Sequence, residues 1–376
     1  MAAPVQVDRA QVLAFRVAAQ GLHRDTAALS SLAVLDIGVQ EAMGHPAALA
    51  FAARLPDGVD PLAAVGPGHR LALAWTLRGA PHVHRRKDLD GVAAAIYPLS
   101  EADATARLNE TGPSIARKGM TALEQFSTAV DAMRAVVTDA VDKGSASTAV
   151  TRRIPAAMWR ECRACGTSHI SDSAMRVAAP AAGLELEPGT NPPVLLPRAG
   201  ATLPEGPDAV ALARLARAYL ALLGPAGPRE FAGYLDARRA DLARWWPDDL
   251  VEVEVEGRAA FLPERSLALL RTPPEPDAVR LLGPFDPFLQ ARDRDLIVPD
   301  KSVQKALWPV LGRPGVLLVD GEVAGTWRTK SSGRRLTITV DAFAPMPPSV
   351  WSEVEAEAQR VGQVRGAADV RVVRPG

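Results

Sequence analysis

Apolar and polar positions alternate with two different periods along this chain, and the two periods succeed one another in blocks. Residues 8–20 open with Asp8 as an N-cap, and Val12, Phe15, Arg16 and Ala19 follow at helical spacing. A second helical unit is expected near 25–42. A third is expected at 46–55, where Pro46 suits a first helical turn. Two extended segments follow, LALAWTLRG and PHVHRR, joined at Gly79-Ala80. Residues 88–145 return to helical spacing, with a run from Thr121 to Val141 closed by Lys143-Gly144. Further helices are expected from Ser145 to Trp159, with a stop at Pro155, and from Asp172 to Ala182, before a strand-like VLLPRAG at 194–200.

A Pro- and Gly-rich stretch at 188–207 precedes a third block. There DAVALARLARAYLALLG is an amphipathic helix closed by Gly224-Pro225, and LVEVEVEGRAAFLP alternates with period two about Glu256-Gly257, the mark of a hairpin. Helices followed by a β-hairpin is the order of a winged helix. The chain thus reads as an α+β protein of tandem winged-helix (helix-turn-helix) units: 1–100, 101–205 and 206–274. From 275 to 376 the strands VRLLGPFDPFL, GVLLVDGEVAGTW and RRLTITVDAF, with Gly and Asp-Gly turns and a closing helix, predict a β-rich, barrel-like domain.

Composition narrows this only slightly. The 376 residues are 48% hydrophobic and 23% charged, enough for several cores. Lys plus Arg equals Asp plus Glu at 43 each, so nucleic acid could be held only by a segregated basic face. Neither a secretory leader nor an apolar run of membrane-spanning length is read, and two cysteines imply no disulfide framework; the expectation is a cytoplasmic protein.

The densest chemistry lies in WTLRGAPHVHRRK, residues 75–87. Trp75 alternates with Leu73 and Leu77 and is expected in the core. Arg78 beside Gly79 is a ligand candidate, because a glycine turn lets a substrate approach the backbone. His82 and His84 fall on one strand face and would grip a phosphate, touch a nucleotide or bind a metal; the plain alternative is an exposed pair on a wing. Arg85, Arg86 and Lys87 suit phosphate contact or a solvated turn. Arg152 and Arg153 close a recognition-like segment and suit DNA phosphates or a solvated helix end. Cys162, Cys165 and His169 have the spacing of half a zinc knuckle, but a closed site needs a fourth ligand, and two structural thiols are the alternative.

The segments GVQEAMGHPAALAFAARL (38–55), WTLRGAPHVHRRKDL (75–89), ARAYLALLGPAGPREFAGYL (216–235), LLGPFDPFLQARDR (281–294) and VLLVDGEVAGTWR (316–328), in that order, resemble the winged-helix DNA-binding family that contains the AlkZ/YcaQ-type DNA glycosylases. The resemblance implies tandem winged helices and a β-barrel-like end. It also implies monofunctional removal, without a cofactor, of bulky alkylated purines or interstrand crosslinks from double-stranded DNA. No membrane and no obligate protein partner are implied. It places Arg328 near the DNA. Those glycosylases carry a Gln-x-Gln or Gln-x-Asp motif whose second polar residue positions water at the sugar C1′. The matching residues here are Gln40-Glu41-Ala42. Gln40 is kept and Ala42 departs, which leaves Glu41 or Asp36 as the stand-in general base. Two readings stand: a glycosylase acting through Gln40 and Glu41, or a DNA-binding, lesion-sequestering or regulatory protein without catalysis. A zinc-stabilised interaction protein is a third.

Overall fold

The computed structural model of the chain describes all residues except 1–3, 27, 58, 60–63, 109–117, 164–165 and 375–376. It is a mixed α+β fold in which helices pack on four sheets. The expected hairpin near residue 75 is present: Leu71–Trp75 pairs antiparallel with Pro81–Arg85. It sits inside a larger sheet of six strands, Val39–Gln40, Pro81–Arg85, Leu71–Trp75, Leu184–Leu186, Val194–Pro197 and Val141–Asp142, in that order. Leu73 faces Leu186 across the middle, so the strands of the first two sequence blocks share one sheet. Leu73, Trp75 and Val83 enter one core with Phe51, Phe126, Met133 and Met175, and Trp75 is buried as expected.

Several local expectations give way. Residues 25–42 form no α-helix but two short 3-10 turns, Leu29–Ser31 and Ala33–Asp36, followed by the strand Val39–Gln40. The cause is Gly38. Its φ is +76°, and a Cβ there would fall 2.2 Å from the His84 ring, so the chain turns and enters the sheet. The helix begun by the capping box of Thr121 and Glu124 spans Ala122–Val136, not 121–141. Lys143 and Gly144 open the next helix, Lys143–Thr151, because the Asp142 side chain accepts from the Ser145 N–H and caps it. Beyond Pro155, Trp159–Cys162 pairs with Thr167–Ile170 in a two-stranded ribbon that periodicity did not reveal.

The hairpin Leu250–Val255/Arg258–Pro263 turns at Glu256-Gly257 as expected, and the strand Val5–Val7 adds to its edge in parallel. Val12 and Phe15 of the helix Arg9–Ala19 share a core with Val253, Val255 and Leu262. The start of the chain and the third sequence block therefore close on each other, with Val7 beside Val255 and the first two blocks between them in sequence. The last sheet runs Val279–Leu282, Gly315–Val319, Glu322–Ser332, Arg335–Ala342, Asp369–Val373. The helix Pro348–Val364 packs on it, and Leu49 of the helix Pro46–Ala52 enters the same core. No helix among the described residues is long and apolar enough to cross a membrane.

One buried ion pair locks the first and last sheets together. Arg54, wholly buried, donates Nη1 and Nη2 to the two Asp286 oxygens at 2.8 Å each. Its remaining N–H groups reach Ala50 O, Gln20 O and Gln20 Oε1, so the five donors of the guanidinium are all used. Asp286 also caps the turn Pro287–Gln290 by accepting from Phe288 N. The Phe-Asp-Pro segment is therefore a joint, and it sets the position of Gln290.

Candidate nucleic-acid interface

Arg78 is the residue around which the site is built. It lies in the link between the two strands of the first hairpin, with φ +58°, a left-handed conformation uncommon outside glycine. The following Gly79 has φ +66°, and the pair of left-handed residues turns the guanidinium into the molecule. There Arg78 Nη1 donates to Tyr234 O at 2.6 Å, and Nη2 donates to Gln40 Oε1 at 3.3 Å and Gln290 Oε1 at 3.2 Å. Its plane lies over the Tyr234 ring, 5.3 Å from the centroid. Burial lowers its pKa to about 10, and Arg292 and Arg313 act in the same direction.

Arg292, Arg294 and Arg313 extend this charge. Burial lowers Arg294, and Arg292 adds to it; burial lowers Arg313, and Arg294 and Arg292 add to it. The acids interleaved with them are occupied elsewhere: Asp293 pairs with Arg16, and Asp295 with Lys301. Among the described residues no carboxylate is bonded to any of the four arginines. Arg294 stacks on Trp308 and Arg313 on Phe285, at 4.8 and 5.4 Å. Arg292 and Arg294 also line a cleft of about 630 Å³ with Arg229, Arg258 and Lys301. Asp236 offsets part of the charge on Arg78, and Glu230, Glu256, Asp293 and Asp295 also line the cleft; planar guanidinium groups match phosphate oxygens. Arg292, Arg294 and Arg313 escaped sequence reasoning because no two are adjacent; the only signal was the ARDR run at 291–294.

Gln40 closes the cluster on its other side. It lies in the strand Val39–Gln40, opposite His82. Glu41 follows the end of the strand, and its N–H donates to Pro81 O at 2.8 Å. Its Oε1 accepts from the Ala42 N–H at 2.8 Å, and Arg365 lies near it. Burial pushes its pKa up to about 7, against the pull of the Ala42 N–H and Arg365. The turn continues through Met43, 91% exposed, and Gly44, whose φ of +90° brings the backbone against Arg365. Gln40 and Glu41 are neighbours in sequence but face different groups.

The histidine pair lies elsewhere than on a solvent-facing wing. Both rings are on one strand face, 6.0 Å apart, but His82 is 2% and His84 0% exposed. The Gly38 turn packs against the His84 ring. His82 Nδ1 bonds Ala80 O at 2.9 Å, and His84 Nε2 bonds Thr76 Oγ1 at 3.0 Å. Burial drops His84 to about 3 and holds His82 well below the usual imidazole range, with Arg78 adding to the latter. Arg85 is spent on Asp36, Ser30 O and Leu32 O, and Arg86 on Glu185, His69 O and Gly66 O. Both tie strand to loop, and Asp36 is thereby committed as well. Arg152 and Arg153 are exposed at the end of the helix Lys143–Thr151. Arg328 is exposed and donates to Gly312 O at 2.8 Å, beside Arg313. His169 is raised by its bond to Ile170 O and by Cys162. Cys165 lies outside the described residues, and among the described residues no three metal-ligating side chains gather.

The sequence profile of the family described as DNA glycosylase AlkZ-like matches residues 29–364, nearly the whole chain and all of this site. The chain belongs to the AlkZ-like DNA glycosylase family. A curated relative, the interstrand DNA cross-link repair glycosylase of Streptomyces sahachiroi, is 31% identical over 171 residues, 42% of this chain and 44% of that protein. The match thus spans less than half the length of that relative. The solved structure of the Streptomyces sahachiroi DNA glycosylase AlkZ superposes with a TM-score of 0.75 over 99% of this chain and all of that one, at 21% identity. That likeness establishes a shared fold. Of Gln40, Glu41 and Ala42, Gln40 bonds Arg78, and Ala42 offers no polar group.

Proposed function

We infer that this AlkZ-like chain binds double-stranded DNA and hydrolyses the N-glycosidic bond of bulky alkylated purines, crosslinked ones included. Its tandem winged helices would form the binding face, in the segments 1–100, 101–205 and 206–274, with the β-rich domain 275–376 alongside. The observation that carries this reading is the cluster of Arg78, Arg292, Arg294 and Arg313, none bonded to a described carboxylate, which Arg78 ties to Gln40. Phosphates of the lesion strand supply the missing counter-charge. A cationic alkylpurine is already a good leaving group, so the protein's task is to place water and stabilise positive charge growing on the sugar. Gln40, with its amide oxygen fixed by Arg78, orients the water at C1′. Glu41, whose carboxylate forms near neutrality, supplies the negative charge and takes the proton of the attacking water. The C1′–N bond breaks with its electrons passing to the base, and the water oxygen replaces it.

A second reading has its own support. Ala42 removes the second polar group, and Glu41 faces Arg365 and not Arg78; the chain would then bind lesions without excising them. One experiment separates the two. Purified protein is incubated with duplex DNA carrying bulky alkylguanine adducts, and released base is measured by chromatography. Release that falls about 100-fold or more in Gln40→Ala and Glu41→Gln is the expected result. Undiminished release in Glu41→Gln removes Glu41 from the mechanism, and salt-sensitive binding without release establishes the second reading.

A further inference from the structure

The loop between Trp308 and Gly315 displays an apolar tip that the fold does not use. Val310 is 95% and Leu311 86% exposed, the one adjacent pair of large aliphatics left in water among the described residues. The tip is stiff. Pro309 and Pro314 bracket it, Gly312 turns it with φ +66°, and Arg328 holds the Gly312 carbonyl. Guanidinium groups of the site flank the loop: Arg313 follows Leu311 by two residues, and Arg294 stacks on Trp308 at the loop's base. Through Arg292 the same charges reach Arg78 and Gln40.

An exposed aliphatic pair on a loop that carries Arg313 and stands on Arg294 at its base has the chemistry of a wedge. Arginines grip phosphates on either side of a base step, while the apolar tip enters the step and covers faces that would otherwise lose their stacking. Its charge surroundings fit duplex DNA and disfavour an uncharged or basic partner. Resting on the DNA-binding reading above, we propose that Val310 and Leu311 insert into the base stack and open the step beside the lesion, so that the target sugar is presented to Gln40. This makes them positioning residues that act through DNA geometry and leave the bond-breaking groups untouched.

The test uses the full chain and two short duplexes, one fully paired and one with a mismatched pair. Each carries a fluorescent adenine analogue that brightens on leaving the stack. The wild type binds both and raises the emission. In Val310→Ser/Leu311→Ser, affinity for the paired duplex stays within about threefold while preference for the mismatched one falls about tenfold and the emission rise disappears. In Arg313→Ala, affinity for both duplexes falls alike. A double variant that keeps both the emission rise and the mismatch preference overturns the wedge. So does wild-type binding without any rise, which leaves the DNA-binding reading standing; absence of duplex binding at low salt removes both. Self-association in sedimentation that the serine variant abolishes would reassign the tip to contact with a second copy.

Discussion

Arg54 and Arg78 are both drawn into the interior, and they differ in what meets them. Arg54 faces a carboxylate in bidentate geometry and spends every donor, so its charge is cancelled where it lies. Arg78 donates only to neutral acceptors, one backbone carbonyl and two glutamine amides, and Asp236 acts on it through space against Arg292 and Arg313. The first arrangement is complete and fixes the fold. The second holds a cation without a bonded carboxylate, at a strained backbone position, which suits it to meet an anion in the proposed function. The partner, more than the burial, separates a structural arginine from a functional one.

The sharpest way to break this contrast is to strip Arg54 of its partner. Asp286→Ala leaves a fully buried guanidinium without a counter-charge, and unfolding free energy should fall by about 3–5 kcal/mol. The joint variant Arg54→Met/Asp286→Leu should recover most of that, since the cost lies in the stranded charge. Thermal or denaturant unfolding reads both. Equal losses in the single and joint variants would show that the pair is ordinary packing.

Arg78→Ala should behave in the opposite way. It relieves repulsion from Arg292 and Arg313 while losing three hydrogen bonds, so stability should change by no more than about 1 kcal/mol. Duplex affinity at low salt should fall about tenfold or more. The slope of log affinity against log salt should become shallower by about 0.9, the value for a single phosphate that is no longer neutralised. Anisotropy titrations across a salt series measure both. An unchanged slope would place the phosphate elsewhere.

Much of this frame was legible in the sequence. The hairpins at Gly79-Ala80, Glu256-Gly257 and Asp320-Gly321 follow from period-two alternation around turn residues, and the helix Ala209–Leu223 from its apolar stripe. What failed shares one cause. Residues 25–42 carry helical spacing, yet a glycine that must yield to the His84 ring sends them into a sheet. The histidines looked like surface grips because strand alternation gives a face but not which side is covered. Arg85 and Arg86 looked free because Asp36 and Glu185, their partners, lie 49 and 99 positions away. The arginine cluster was invisible for the same reason: Arg78 lies more than 200 positions from Arg292, Arg294 and Arg313 and meets them only in the fold.

The effect confined to one pH interval concerns Glu41, whose carboxyl is raised by burial and held down only in part by the Ala42 N–H and Arg365. A raised carboxyl binds its proton more tightly in the folded chain than in the unfolded one. Its contribution to stability is therefore full below the ordinary value of 4.5 and is lost as pH rises through about 7. Above that pH the wild type carries a poorly solvated charge, and Glu41→Gln should be the more stable by roughly 1–2 kcal/mol; below pH 4.5 the two should converge. If the same carboxylate acts on water, base release should rise through about pH 7 in the wild type and lose that step in the variant. Stability and activity would then trade against each other at a single side chain, over one pH interval. Unfolding curves and release rates on the same two proteins test this, and a stability gain in Glu41→Gln without a change in the activity profile would leave the carboxyl buried for packing alone.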